Sequence, residues 1–169
     1  LGGKDPMIVF DDVTIERTAA GAAFGALTAG GQSCTSVERL YVQAGIHDAF
    51  VAELVRQVST LTPAEGRDGE YGPMITPFQT AIVADHLTDA LDRGARLLTG
   101  QEWDRTNHTI PPLVVVDVPV DCKLACEETF GPVIPVLRFE TEAEVIAAAN
   151  GTPYGLTASV WSADDERAD

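Results

Sequence analysis

Gly30-Gly31-Gln32-Ser33-Cys34-Thr35-Ser36 places a thiol between a predicted helix and a predicted strand. Two glycines free the backbone as the helix ends, so a loop can turn sharply and aim successive amide N–H groups at one point. A thiol held there can attack a carbonyl carbon while nearby amides receive the developing oxyanion. A lone cysteine near a helix end is more often a small, buried and inert residue, so Cys34 gains its standing from the rest of the chain. The other candidate groups are weak. Cys122-Lys123-Leu124-Ala125-Cys126 has three residues between its thiols and no second half, which argues against a zinc site. His47, His86 and His108 are isolated, and Glu127-Glu128 on composition alone is a solvated acidic pair. Gly2-Gly3-Lys4 is too short for a phosphate-binding loop, and no GxGxxG occurs.

The elements that must position Cys34 can be read from periodicity. Lys4 to Phe10 is a predicted strand, and Ile15, Ala19, Ala22 and Ala26 follow at helical spacing with a small-residue face ending at Gly30-Gly31. Arg39 to Val42 is a strand, and Phe50, Leu54, Val58 and Leu61 mark a helix that ends near Pro63. Thr76-Pro77-Phe78-Gln79 combines an N-cap, a first-turn proline and a glutamine placed to close a capping box, so a helix is expected to run to about Arg93 with Gly94 as its stop. Strands are expected at Arg96 to Leu98, Leu113 to Val118 and Leu156 to Trp161. Thr141 and Glu144 cap a helix that ends at Asn150. This alternation predicts a three-layer α/β domain with a mainly parallel sheet.

Composition bounds the function. With 169 residues, 45% of them hydrophobic, the chain suits one domain with a proper core. Acidic residues number 26 against 11 Lys plus Arg, a net charge of -15, which disfavours nucleic acid and anionic membrane as partners. No apolar run approaches the ~20 residues that span a bilayer, and no signal-peptide pattern opens the chain. Three cysteines, an odd number, fit free thiols in a reducing compartment, so the expected location is the cytoplasm. Both ends read as cut: Ser162-Ala163-Asp164-Asp165 opens a helix, and Leu1-Gly2-Gly3 starts without a lead-in.

Four ordered blocks carry a resemblance. Leu1-Gly2-Gly3-Lys4-Asp5-Pro6, Gly31-Gln32-Ser33-Cys34, Glu127-Glu128-Thr129-Phe130-Gly131-Pro132-Val133 and Asn150-Gly151-Thr152-Pro153-Tyr154-Gly155-Leu156 resemble motifs of the NAD(P)-dependent aldehyde dehydrogenase superfamily, in order and approximate spacing. The resemblance implies that residues 1–169 are the thiol-bearing catalytic domain, without the N-terminal cofactor domain or the C-terminal end. It makes Cys34 the nucleophile that forms a thiohemiacetal and then a thioester with an aldehyde, its backbone N–H being one oxyanion donor. It also makes Glu128 a partner of the nicotinamide ribose, with Phe130, Leu1, Gly2 and Gln79 near NAD or NADP. Gln79 is explained equally by a capping box, and Asn150 by a helix end.

The family's general base would fall one residue before Leu1, so this chain alone is expected to be nearly inactive, its parent forming a homodimer or homotetramer. The aldehyde, the choice between NAD and NADP, and transfer to water or coenzyme A are left open. Two other classes stand beside this reading. One is a cysteine hydrolase or acyltransferase that uses one of the three histidines as base. The other is a noncatalytic oligomerisation module.

Overall fold

The computed structural model describes residues 2–64 and 68–168. In chain order the elements are β1 (Asp5–Val9), α1 (Ile15–Leu27), a 3-10 turn (Thr28–Gly31), β2 (Val37–Gln43), α2 (His47–Val58) and α3 (Pro77–Asp92). There follow β3 (Arg96–Leu97), β4 (Leu113–Val116), the one-turn α4 (Lys123–Cys126), β5 (Val133–Phe139), α5 (Glu142–Asn150), β6 (Ser159–Trp161) and α6 (Asp165–Ala168). The strands form one sheet of order β3-β4-β5-β2-β1-β6, antiparallel between β3 and β4 and parallel at every other pairing. The mainly parallel α/β sheet expected from the sequence is therefore the architecture found. Among the described residues no helix is long and apolar enough to cross a membrane.

Side-chain alternation along the strands builds two cores. Met7, Val9, Leu40, Val42, Val114 and Ile134 face α1 and α2, which supply Ala19, Ala22, Phe50 and Leu54. Ile8, Tyr41, Leu113, Val115, Leu137 and Phe139 face α3 and α5, which supply Val83, Leu87 and Val145. Strands covered on both faces are the pattern that near-continuous apolar runs such as Leu113–Val116 specify. The small-residue face of α1 lets that helix lie close to the sheet. A side chain at Gly21 would meet the Trp161 ring at 2.6 Å, and one at Gly25 would meet Val37 at 2.9 Å.

The structure corrects the sequence reading in several places. Periodicity does not predict β5 as a strand, because Pro135 lies within it and proline removes a ladder donor. The proline is tolerated where β5 changes partners: Val133 to Pro135 pair with β4, and the β2 pairing begins at Val136. β4 stops before the expected Val118 because Asp117 adopts φ +54°, outside the extended region. α2 ends at Val58, short of Pro63. The capping box at Thr141 forms as expected. At Thr76 only half of the motif forms: its hydroxyl accepts from the Gln79 N–H at 3.2 Å, while the Gln79 amide turns elsewhere.

Candidate active site

The thiol turn is built at the point where α1 runs out of helix. Ala29, Gly30 and Gly31 all take positive φ, and a side chain at Gly31 would run into the Gly131 carbonyl. That position therefore needs both the conformational freedom and the small size of glycine. The chain then closes a turn in which the Ser36 N–H donates to Ser33 O at 3.1 Å, with Cys34 and Thr35 as its exposed central residues. Gln32 fastens the turn from below: its Oε1 accepts from the Ile75 N–H at 2.9 Å and its Nε2 donates to Ala29 O at 3.1 Å. Among the described residues no acceptor meets the Cys34 N–H, which leaves that donor free beside the thiol.

Glu128 arrives from the other side. Its Oε1 accepts the Gly3 N–H at 3.0 Å, and its own N–H donates to the Tyr154 hydroxyl at 3.4 Å. Its Oε2 has no hydrogen-bond partner among the described residues. A side chain at Gly2 would collide with the Glu128 carboxylate, and one at Gly3 would lie 2.6 Å from the Cys34 carbonyl oxygen. The Gly2-Gly3 backbone is thus a side-chain-free floor between the thiol turn and a carboxylate with one oxygen unengaged. These features fit a nicotinamide nucleotide, whose planar ring needs flat backbone and whose ribose hydroxyls need an acceptor.

The remaining residues singled out by the sequence divide. Phe130 is half-buried at φ +52°, a strained conformation for a non-glycine residue. Gln79 reaches the same loop, its Nε2 donating to Thr129 O at 2.7 Å. Leu1 lies outside the described residues. Asn150 is exposed and donates to Ile146 O within α5. His47 pairs with Asp48, and His108 with Thr80; among the described residues no histidine hydrogen-bonds Cys34. Cys122 is buried and Cys126 exposed, and no group of three or more potential metal ligands gathers among the described residues.

Sequence reasoning missed the buried network that holds these parts. Lys4 is 1% exposed, and its Nζ donates to Glu38 Oε2 at 2.7 Å and to Thr129 Oγ1 at 3.3 Å. Glu38 also accepts the N–H groups of Thr129, at 3.0 Å, and of Phe130, at 2.8 Å. Arg39, also buried, donates from Nε to Lys4 O at 2.8 Å and from Nη1 and Nη2 to the last carbonyls of α5, Ala148 and Ala149. The signal lay in charged residues at positions where strands otherwise bury apolar ones.

His86 completes the network, its Nδ1 hydrogen-bonded to the Thr129 hydroxyl at 3.1 Å. Burial, reinforced by the Lys4 ammonium, pushes its pKa below the usual 6.5, against weaker opposing pulls from Glu127, Asp85 and Glu38. The folded-state value is depressed, so acidification through 6.5 protonates the unfolded chain first and the fold loses stability until the folded pKa is passed. Urea midpoints of the wild type are expected to fall between about pH 7.5 and 5.5, and those of His86→Gln to fall less. Equal slopes for the two proteins would contradict this assignment.

Comparison with known proteins agrees along the whole chain. The family model described as "Aldehyde dehydrogenase family" matches residues 1–169. The NADP(+)-dependent succinate-semialdehyde dehydrogenase of Escherichia coli K12 is 41% identical over 170 residues, covering 99% of this chain and 35% of that protein. The structure of NADP-dependent glyceraldehyde-3-phosphate dehydrogenase from Bacillus halodurans, complexed with NADP, matches with a TM-score of 0.94 at 36% identity, over 99% of this chain and 35% of that one. An NAD-dependent aldehyde dehydrogenase structure from Sinorhizobium meliloti matches at 0.93 and 38% identity, over 99% and 34%. The chain spans about a third of the length of the relatives it matches. On this match, and on the motifs that the fold gathers around Cys34 and Glu128, the chain belongs to the aldehyde dehydrogenase family.

Proposed function

We propose that this chain is the thiol-bearing catalytic domain of an enzyme that oxidises an aldehyde to a carboxylic acid with NAD or NADP. One observation carries the reading: the Gly3 N–H donates to the Glu128 carboxylate, and a side chain at Gly3 would run into the Cys34 carbonyl oxygen, so nucleophile and acceptor flank one strip of bare backbone. Cys34 Sγ, as thiolate, adds to the aldehyde carbon, and the new oxyanion meets the free Cys34 N–H. The thiohemiacetal on Cys34 would become a thioester by giving up hydride, for which a nicotinamide nucleotide, when bound, would be the acceptor. Glu128 Oε2 and the Gly2-Gly3 floor would hold and orient that nucleotide, with Phe130 and Gln79 alongside. Hydrolysis of the thioester releases the acid and regenerates the thiol. No hydrogen bond joins a histidine to Cys34 among the described residues, so nothing supports a cysteine–histidine hydrolase.

The test is trapping. The full-length protein, mixed with an aliphatic aldehyde and quenched in acid within the first turnover, is expected to carry an acyl mass on the Cys34 peptide only when NAD+ or NADP+ is present. Acylation of Cys126 instead, or acylation without nucleotide, would overturn the reading.

A further inference from the structure

Glu38 stands on β2, the strand that begins just after the thiol turn, yet its carboxylate serves a different segment. Oε2 accepts from Lys4 Nζ and the Thr129 N–H, and Oε1 accepts from the Phe130 N–H at 2.8 Å. We infer that Glu38 is the positioning residue for the cofactor-binding loop, aiming the Glu128 carboxylate at Gly2-Gly3 by gripping the two backbone N–H groups that follow it. The inference rests on the reading of Glu128 and Phe130 as cofactor contacts.

Two consecutive N–H groups held by one carboxylate fix the orientation of the peptide plane between them. That grip accounts for the left-handed φ of +52° at Phe130, which no glycine relieves. An ionised carboxylate suits the task because it is acceptor-only on both oxygens, whereas an amide in its place turns a donor toward one of the two N–H groups or toward Lys4. Lys4 belongs to the same design. It neutralises Glu38 from the residue next to Gly3, whose N–H donates to Glu128 Oε1, so the floor of the site and its acceptor hang from one ion pair. Thr129 adds a side-chain tie to Lys4 at 3.3 Å, and Gln79 holds the Thr129 carbonyl at 2.7 Å, so the loop is gripped on both sides of that residue.

Fluorescence titration of the full-length protein with NADH and NADPH tests this directly. Glu38→Gln is expected to weaken binding about tenfold, the loss of one charge-assisted hydrogen bond, and to speed amide exchange at Thr129 and Phe130. Iodoacetamide labelling of Cys34 is expected to stay within about twofold of wild type, since the turn is closed by its own bonds. A role confined to neutralising Lys4 predicts otherwise: the double variant Lys4→Met/Glu38→Gln, which carries neither charge, would then recover wild-type affinity. We expect that double variant to regain stability while its affinity stays about tenfold weak. Recovered affinity would overturn the inference, as would unchanged affinity in Glu38→Gln. Should Glu38→Gln not fold, the double variant alone decides. Glu128→Gln separates the two levels: normal affinity there removes the cofactor reading and the inference with it, while weakened affinity beside a normal Glu38→Gln removes only the positioning role.

Discussion

Cys34→Ala is expected to reduce aldehyde oxidation by the full-length protein at least about 10⁴-fold, since no second thiol stands on this turn to take over the covalent route. Cys122 is buried at the start of α4, and Cys126 is exposed but occupied with the Val120 carbonyl at 3.3 Å. Neither lies on the turn that Gln32, Gly31 and Ser36 shape. Loss of activity by misfolding can be told apart. Cys34 is exposed, and the turn is closed by backbone and Gln32 bonds that alanine leaves intact. The melting temperature should therefore move by no more than a surface substitution allows, about 0.5 kcal/mol in stability, and NADH affinity should persist. A variant that keeps even a tenth of the wild-type rate would remove Cys34 from the chemistry.

Lys4→Met is expected to cost about 3 kcal/mol, because it strands a buried charge. Lys4 is among the largest fully buried side chains, and the change would leave the Glu38 carboxylate, 7% exposed, without its counter-ion. The two backbone N–H bonds to Glu38 survive, which places the cost toward the low end of what breaking a buried pair incurs. For a chain of this length the loss corresponds to a fall in melting temperature of about 6–12 °C. Adding Glu38→Gln should return much of it, because two neutral groups no longer need each other. A melting temperature within about 2 °C of wild type for Lys4→Met would show that the pair contributes nothing net.

Much of this architecture was legible in the sequence for a physical reason: doubly covered strands read as apolar runs, and helices announce themselves by spacing and caps. Leu113–Val116 and the Thr141 to Glu144 box are of that kind. β5 escaped because Pro135 is a rule against strands, and the rule yields where a strand changes partners. Of the proposed site, Cys34, Glu128 and Phe130 stand in local motifs that single them out in the sequence. The contacts of Glu38, Lys4 and Thr129 were not legible there, because they join residues as many as 125 positions apart in sequence, which no local pattern encodes. Gln79 shows the same limit. Its local context reads as a capping box, and its amide instead crosses to the Thr129 carbonyl.

β5 has a further consequence, one of timing. It lies between β4 and β2 in space but follows both in the chain. As the polypeptide leaves the ribosome, β1 and β2 emerge as one potential ribbon and β3 and β4 as another, with nothing to join them until residues 133–139 are made. Each ribbon meanwhile presents an open edge with apolar side chains on both faces, the kind of surface that recruits other nascent chains. Val133–Phe139 is thus the keystone of the sheet, laid late, and the segments most exposed to misassembly are the ones waiting for it.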